Sequence, residues 1–132
     1  MDVTLPAALA LLFAGLLWTW VRYSAKESIN PQNLCVIDGD TVWILRPDRT
    51  IAEKIRLQNV NAPELSRPRS RRELNRAVAA TEFLRDKIER AGSATIRRRG
   101  KDRYGRTLAR IAIDGRDLGR LLVRAGHAKH WH

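Results

Sequence analysis

The sequence has 132 residues, and its 25 Lys and Arg against 14 Asp and Glu give a net charge of +11. With 44% hydrophobic and 30% charged residues, it is too apolar for a disordered chain and too charged for a multi-pass membrane protein. The length accommodates one modest domain, which excludes a large two-domain enzyme. The single cysteine, Cys35, can form no intrachain disulfide, and no Cys/His set has the spacing of a structural zinc site.

The N-terminal segment is apolar. Val3–Val21 contains no charged residue, and as a helix with a rise of about 1.5 Å per residue it would extend roughly 28 Å, close to the hydrocarbon thickness of a bilayer. Trp18, Trp20 and Tyr23 cluster at its end, where aromatic rings prefer the headgroup region. We therefore predict one N-terminal transmembrane helix, an anchor or signal-anchor over residues 1–23.

A cleaved signal peptide is the competing interpretation of this segment. It is disfavoured because no basic region precedes the apolar run, and because the best small-residue site, Tyr23-Ser24-Ala25, begins with a bulky ring. The side of the membrane stays open at this point. Arg22 and Lys26 follow the run, which favours a cytoplasmic C-terminal domain by the positive-inside tendency.

The rest of the chain alternates between β-rich and helical patterns. Residues 24–32 are polar, contain the turn signal Asn30-Pro31 and are predicted to form a linker to a domain over residues 33–132. Short apolar or β-branched runs then predict strands at Leu34–Ile37, Thr41–Leu45, Ile51–Val60, Ala94–Ile96 and Thr107–Ile113.

Two segments have helical periodicity. The first lies before Gly92, and its predicted core face consists of Leu74, Ala77, Val78, Thr81, Leu84, Ile88 and Ala91. The second follows a predicted cap at Asp117 and ends at Gly126. About five strands with one helix after the third indicate a mainly β fold with α-helices, namely a five-stranded Greek-key barrel of the oligonucleotide-binding (OB) type with two packed helices.

Three polar clusters lie at the ends of predicted strands. They are IDGDT at Ile37–Thr41, IRLQNVNAPE at Ile55–Glu64, and KDRYGR at Lys101–Arg106. An Asp-Gly-Asp run alone is most often a turn, and a lone arginine is usually a solvated charge. The three clusters in this order and at these separations are far more specific.

From Leu34 to Lys129, these clusters and the closing stretch DGRDLGRLLVRAGHAK resemble the staphylococcal nuclease (thermonuclease) family. The resemblance implies an OB barrel with packed helices and calcium-dependent hydrolysis of phosphodiester bonds in DNA and RNA. It implies catalytic roles for Glu64, which would orient or deprotonate the attacking water, and for Arg56 and Arg106, which would clamp the phosphate. Two guanidiniums suit that task because they bind phosphoryl oxygens bidentately.

The same resemblance implies a Ca²⁺ site and a nucleotide site. The calcium ligands would be the Asp40 carboxylate, Asn61 and the backbone carbonyl of Ala62, and calcium prefers such oxygen ligands. The implied nucleic-acid contacts come from Lys101, Arg103 and Tyr104.

Two departures from the family pattern weaken this site. Asn61 stands where the family normally has an aspartate, so we expect a lower affinity for calcium. The sequence also stops at His132, before the family's C-terminal helix, and leaves only Trp131 or His132 near the family's aromatic position. The alternative functions are therefore a catalytically weakened barrel that only binds nucleic acid, and an anchored module that binds an acidic protein or lipid surface.

Basic residues flank the predicted site on both sides. One run is Arg97–Lys101, and the other consists of Arg67, Arg69, Arg71, Arg72 and Arg76. Residues 22–132 contain every basic residue and 13 of the acids, for a charge of +12. Such a charge attracts DNA or RNA and, beside an anchor, anionic lipid.

The sequence thus predicts a membrane-anchored, calcium-dependent nuclease, and the resemblance to exported nucleases favours the extracytoplasmic side. The histidines at 127, 130 and 132 are interpreted as a frayed polar tail rather than a metal site. The oligomeric state stays open.

Overall fold

The computed structural model describes residues 25–131. The predicted anchor at Val3–Val21 lies outside this range and stays a prediction. Within the described range, no helix combines the length and apolarity needed to cross a membrane.

Strands dominate the described part of the chain. The strands are β1 (Lys26–Ile29), β2 (Leu34–Asp38), β3 (Thr41–Leu45), β4 (Ile51–Leu57), β5 (Val60–Asn61), β6 (Ala94–Lys101), β7 (Thr107–Ile113), β8 (Arg116–Asp117) and β9 (Lys129–His130). The α-helices are α1 (Arg71–Glu89) and α2 (Leu118–Arg124), and a short 3-10 helix covers Pro31–Asn33.

Seven of these strands form one sheet. Its path runs β1-β6-β7-β4-β3-β2, with β8 added beside β7, while β5 and β9 form a separate pair. Neighbours are antiparallel except β4 and β7, which are parallel. The predicted class, mainly β with two helices, is confirmed and is consistent with an OB-like fold. The predicted count of five strands is too low, because β1 and the two-residue strands carry no strong sequence pattern.

Two boundaries differ from the sequence interpretation. The sheet begins inside the predicted linker, since Lys26–Ile29 pairs with β6 from Arg97 to Ala94. The strand predicted over Ile51–Val60 is interrupted, because Asn59 has a φ of 63°. This left-handed conformation, which asparagine tolerates better than most residues, turns the chain between β4 and β5.

Helix α1 packs its small and apolar face against the sheet. Ser70 caps the helix by accepting a hydrogen bond from the Glu73 N–H at 3.1 Å, as capping residues do. The buried face consists of Ala77, Ala80, Thr81, Leu84 and Ile88. Leu74 and Val78, predicted on the core face, are instead 37% and 38% exposed.

A charged network joins the strands on one side of the sheet. The guanidinium of Arg98 on β6 contacts the carboxylate of Glu53 on β4 at 2.7 Å and that of Glu27 on β1. The hydroxyl of Thr107 also donates to Glu53 at 2.7 Å. One member of the basic run Arg97–Lys101 therefore links three strands and is unavailable to an external anion.

The C-terminal residues are ordered against the domain through Trp131. The ring of His127 packs on Phe83 with centroids 4.7 Å apart, and His130 lies in β9, which pairs with β5. The interpretation of this stretch as frayed is therefore wrong for His127 and His130. His132 lies outside the described residues.

Candidate active site

The tight hairpin between β2 and β3 places an acidic side chain in a buried position. Asp40 is only 5% exposed. Its Oδ2 accepts a hydrogen bond from the Ala62 N–H at 2.8 Å, and its Oδ1 accepts one from the Thr41 hydroxyl at 3.3 Å. The carboxylate of Asp38 accepts the N–H of Asp40 at 3.1 Å. The hairpin thus fixes two carboxylates at one end of the sheet.

Arg56 lies directly beside this carboxylate. The sheet register pairs Arg56 on β4 with Thr41 on β3, and its Nη2 is 3.4 Å from Oδ2 of Asp40. Nη1 donates to the carbonyls of Leu57 at 2.7 Å and Val60 at 2.8 Å. The side chain is 10% exposed, and these two carbonyls fix the position of the guanidinium.

Arg106 approaches the same point from the position just before β7, the other neighbour of β4. Its Nε donates to Oδ2 of Asp102 at 2.7 Å, and its Nη1 is 3.5 Å from the Thr41 hydroxyl. Gly105, with a φ of 78°, makes the turn that brings the two residues together. Thr41 therefore connects Arg106 to Asp40 within two hydrogen bonds.

An exposed aromatic ring covers the loop Asp102–Arg106, which we call the arginine loop. Tyr104 is 69% exposed, and its ring centroid is 4.9 Å from the Arg103 guanidinium and 5.6 Å from that of Arg106. Arg103 Nη2 also donates to the Tyr104 hydroxyl at 2.8 Å. Lys101 is exposed at the end of β6, and the described contacts do not join it to this cluster.

The hairpin, the loop after β5 and helix α1 meet at Gly39. A Cβ on Gly39 would lie 2.7 Å from the Cβ of Ala62 and 2.9 Å from the Cβ of Ala80. Only glycine fits at this contact. The loop that begins at Ala62 is therefore held against the buried carboxylate.

Glu64 follows two residues later and is exposed. It lines a wide groove beside the site, together with Asn61 and several arginines of the loop and of α1. Among the described residues, Glu64 forms no hydrogen bond or ion pair with Asp40, Arg56 or Arg106. The structure thus brings three of the four predicted reaction residues together and leaves Glu64 at the edge of the cluster.

Sequence reasoning missed three contributors to this cluster. Thr41 and Asp102 were inside the quoted motifs, and their strand-end positions next to Asp40 and Arg106 were the available signal. Trp131 was noted only as a remaining aromatic residue. Its ring centroid is 5.9 Å from the Arg56 guanidinium, and its backbone N–H donates to the carbonyl of Asn59 at 2.9 Å.

The pKa values of Asp40 and Asp102 are shifted in opposite directions. Burial raises the pKa of Asp40 to about 6, and the Ala62 N–H and the charge of Arg56 offset this only in part, while the charge of Asp38 adds to it. Burial would also raise the pKa of Asp102, but hydrogen bonds from Arg106 and Tyr104 lower it below its ordinary value. The Ala62 N–H and the Arg56 guanidinium therefore stabilise the ionised Asp40 carboxylate only in part.

The donor set near Asp40 fits a hard cation held weakly. Within residues 25–131, no three His, Cys, Asp or Glu side chains form a metal-binding group. The nearby side-chain donors, on Asp38, Asp40 and Asn61, are all oxygens, as Ca²⁺ prefers. Asn61 Oδ1 already accepts a hydrogen bond from Arg56 Nη2 at 3.3 Å, which reduces its availability. A cation here would add to the stabilisation that Arg56 gives the ionised Asp40 carboxylate.

Part of the cluster around Arg56 and Arg106 lies in a region that matches a known protein family. A family model described as staphylococcal nuclease homologue matches residues 54–132. This range contains Arg56, the Ala62 loop and the arginine loop, and it begins after Asp40. No curated protein is similar enough to count as a match.

Proposed function

This chain belongs to the family of staphylococcal nuclease homologues, and from that premise we propose that it binds DNA or RNA and hydrolyses their phosphodiester bonds. One observation carries the proposal. The Asp40 carboxylate, the Arg56 guanidinium and, through Thr41, the Arg106 guanidinium meet at the ends of three adjacent strands. Binding to a polyanion alone needs no buried carboxylate between two arginines.

The two arginines would bind the phosphate with different edges. Both N–H groups on Nη1 of Arg56 are occupied by the carbonyls of Leu57 and Val60. Nη2 contacts Asp40 and Asn61, so we assign a phosphoryl oxygen to Nε, which has no partner among the described residues. Arg106 is held at Nε by Asp102, and its Nη1, near the Thr41 hydroxyl, is the donor that we assign to the phosphate. Fixed donors of this kind stabilise the charge that grows on phosphoryl oxygens in the transition state.

We propose Glu64 as the group that orients the attacking water and accepts its proton. The water oxygen forms a bond to phosphorus, and the bond from phosphorus to one ribose oxygen breaks. That ribose oxygen leaves with the bonding electrons and takes a proton from solvent. A positioned carboxylate contributes about 10²–10⁴-fold to the rate of such a step. Because Glu64 is exposed in the substrate-free chain, this assignment requires the loop after Ala62 to place it against the bound phosphate.

We assign Ca²⁺ to the Asp40 carboxylate, with Asn61 and the Ala62 carbonyl as further ligands. When bound, the ion would polarise the phosphoryl oxygens.

The deciding experiment measures cleavage of end-labelled single-stranded DNA and RNA by the full-length chain, with calcium and with a chelator. Cleavage that calcium restores and the chelator abolishes supports the proposal. Glu64→Gln should reduce the cleavage rate at least about 100-fold. Glu82→Gln, a change at another exposed glutamate, on α1, is the matched control and should leave the rate unchanged. Equal rates for both variants would remove Glu64 from the mechanism.

A second candidate function is nucleic-acid binding without turnover. It is favoured by Asn61, whose amide oxygen is engaged by Arg56, and by the lack of described contact between Glu64 and the cluster. Salt-sensitive binding of DNA or RNA, with no cleavage at any calcium concentration, would establish this function instead.

We also propose that residues 1–23 anchor the domain in a membrane, with the domain on the extracytoplasmic side. Retention of the full-length chain in the membrane after alkaline extraction tests the anchor. Digestion of the domain by protease added to intact cells tests the side, and protection of the domain would place it in the cytoplasm.

A further inference from the structure

A basic groove adjoins the candidate active site. One wall is the loop from Asn61 to Glu64, and another is the stretch Gly126–Lys129. The groove has a volume of about 1180 Å³ and is lined by four arginines, at 67, 69, 72 and 76. We refer to this feature as the arginine groove.

The four guanidiniums of the arginine groove outnumber its two carboxylates, those of Glu64 and Glu73. All four residues are exposed, and within residues 25–131 none of them forms an ion pair with a carboxylate. Glu73 lies in the groove, but its carboxylate accepts the backbone N–H of Arg69 at 3.2 Å as part of the helix cap. Four like charges along one groove repel each other, and a polyanion would relieve that repulsion.

The arginine groove is continuous with the candidate active site. Ala62 lines the groove, and its N–H donates to Asp40. On α1, Arg72 and Arg76 are spaced by four residues, as are Arg76 and Ala80, so all three lie along one side of the helix. Ala80 faces the contact between Gly39 and Ala62. The row of arginines on α1 therefore leads to the backbone that holds Asp40.

We propose that the arginine groove binds the sugar-phosphate backbone of one polynucleotide strand, next to the phosphate held by Arg56 and Arg106. This inference rests on the proposed function and specifies its substrate as a strand of several nucleotides. Guanidiniums suit the role because each can bind a phosphate bidentately. An extended polynucleotide strand can enter this recessed groove and contact the arginines inside it. A flat bilayer surface could contact only the residues at the rim of the groove.

The first test measures binding in the presence of a chelator, so that no cleavage occurs. The full-length chain is titrated into a labelled 12-nucleotide single strand and a labelled dinucleotide, and fluorescence anisotropy is followed at several salt concentrations. We compare Arg72→Gln/Arg76→Gln and Arg67→Gln/Arg69→Gln with the unmodified chain. For the 12-nucleotide strand, the slope of log K against log salt should decrease by about 0.7 for each arginine that contacts a phosphate. Binding of the dinucleotide should not change.

The matched control is Arg97→Gln/Arg116→Gln, which removes two exposed arginines without ion pairs that do not line the groove. If the control lowers the slope as much as the groove variants do, only net charge matters and the inference is overturned. It is also overturned if groove variants bind the long strand as tightly as the unmodified chain. A third outcome overturns it as well, namely groove variants that lose binding to vesicles containing phosphatidylserine but not to the strand.

A second test uses cleavage and separates the two proposals. If the unmodified chain cleaves, groove variants should raise KM for the 12-nucleotide strand about tenfold or more and leave kcat/KM for the dinucleotide unchanged. Equal kinetic constants for groove variants and unmodified chain refute the groove while the proposed hydrolysis stands. If no substrate is cleaved, the hydrolysis proposal fails, and the anisotropy result alone supports or overturns the groove.

Discussion

Arg56 and Asp40 lie 3.4 Å apart at the buried ends of β3 and β4, and the same guanidinium donates to two carbonyls of the turn into β5. This one side chain therefore fixes both the charge environment of the carboxylate and the path of the loop that carries Asn61 and Ala62. A residue with two such roles affects stability as well as chemistry, and the predictions separate the two effects.

We expect Arg56→Lys to lower turnover at least about 100-fold and to destabilise the fold by about 1–3 kcal/mol. The shorter lysine side chain, with one ammonium group, cannot donate to the carbonyls of Leu57 and Val60 and also contact Asp40. Buried acceptors would therefore lose hydrogen-bond partners. Cleavage kinetics and chemical denaturation measure the two losses. Arg110→Lys, a conservative change at an exposed position on β7, is the control and should alter neither quantity.

Arg106 should behave differently, because its partner Asp102 belongs to the same surface loop. We expect Arg106→Ala to reduce turnover about 10²–10³-fold, with a much smaller effect on strand binding and a change in unfolding free energy within about 0.5 kcal/mol. Equal losses in turnover and binding would mark Arg106 as an ordinary phosphate contact. The comparison needs single-turnover rates and a binding titration under chelation.

Calcium binding should depend on pH through Asp40. Burial raises the pKa of this carboxyl to about 6, so a proton competes with the cation below that pH, because metal ligands must be deprotonated. We expect the affinity for calcium to be constant well above pH 6 and to fall progressively below it. Calorimetric titration with calcium from pH 5 to pH 8 provides the measurement. An affinity that is flat across this range would exclude Asp40 as a ligand.

The same shift affects stability with a defined sign. The pKa of Asp40 is higher in the folded chain than the ordinary value of 3.8. Between about pH 4 and pH 6 the folded chain therefore binds more protons than the unfolded chain. This group alone makes the calcium-free fold less stable as pH rises through that window. Asp40→Asn should remove this contribution, which denaturation curves at pH 4.5 and pH 7 would detect.

Asn61→Asp should raise calcium affinity on the order of tenfold, because the number of charged ligands tunes it, and should raise activity with it. The added carboxylate would also lie beside Nη2 of Arg56, which now donates to the Asn61 amide at 3.3 Å. Calcium titrations and cleavage rates of the variant, compared with those of the unmodified chain, test both expectations. Unchanged or lower activity would show that the loop does not hold the ion.

Gly39→Ala should destabilise the fold by about 1–3 kcal/mol, the usual cost of overpacking. The new methyl group would lie under 3 Å from the side chains of both Ala62 and Ala80, so the hairpin or the loop must move. We expect turnover to fall as well, since the displaced backbone holds Asp40. Gly92→Ala is the matched control, because a Cβ there would meet its nearest atom at 3.4 Å. Thermal unfolding compares the two.

The sequence predicted most of the regular elements because their signals are local. Thr41–Leu45 forms the predicted strand, and Asp117 caps the second helix by accepting the Arg120 N–H at 3.0 Å. The strand inside the predicted linker and the break at Asn59 were not predicted, because neither has a local signal. A polar edge strand such as Lys26–Ile29 is stabilised by its partner β6, and pairing with a distant strand leaves no periodic pattern in the sequence.

The helix face illustrates a similar limit. Helical spacing placed Leu74 and Val78 with the buried residues, but the face that contacts the sheet is centred on Ala77, Ala80 and Thr81. Periodicity gives the direction of a face only approximately, and the close approach at Gly39 selects small side chains. The first turns of α1 then extend past the sheet and form one wall of the arginine groove.

The sequence predicted which residues form the candidate site better than it predicted the contacts between them. The motifs identified Asp40, Arg56 and Arg106, and the structure brings them together. The burial of Arg56, its use as a backbone donor and the engagement of Asn61 depend on the register of β3, β4 and β5, which residue spacing alone does not specify.

The fluorescence of Trp131 can serve as a probe of anion binding at the candidate site. It is 62% exposed, and its centroid is 5.9 Å from the guanidinium that we assign to the phosphate. Indole emission is sensitive to its polar surroundings, so an anion that settles on Arg56 should change the intrinsic fluorescence of the chain. Comparison with Trp131→Phe isolates that signal from the other tryptophans, and occupancy can then be followed without a label.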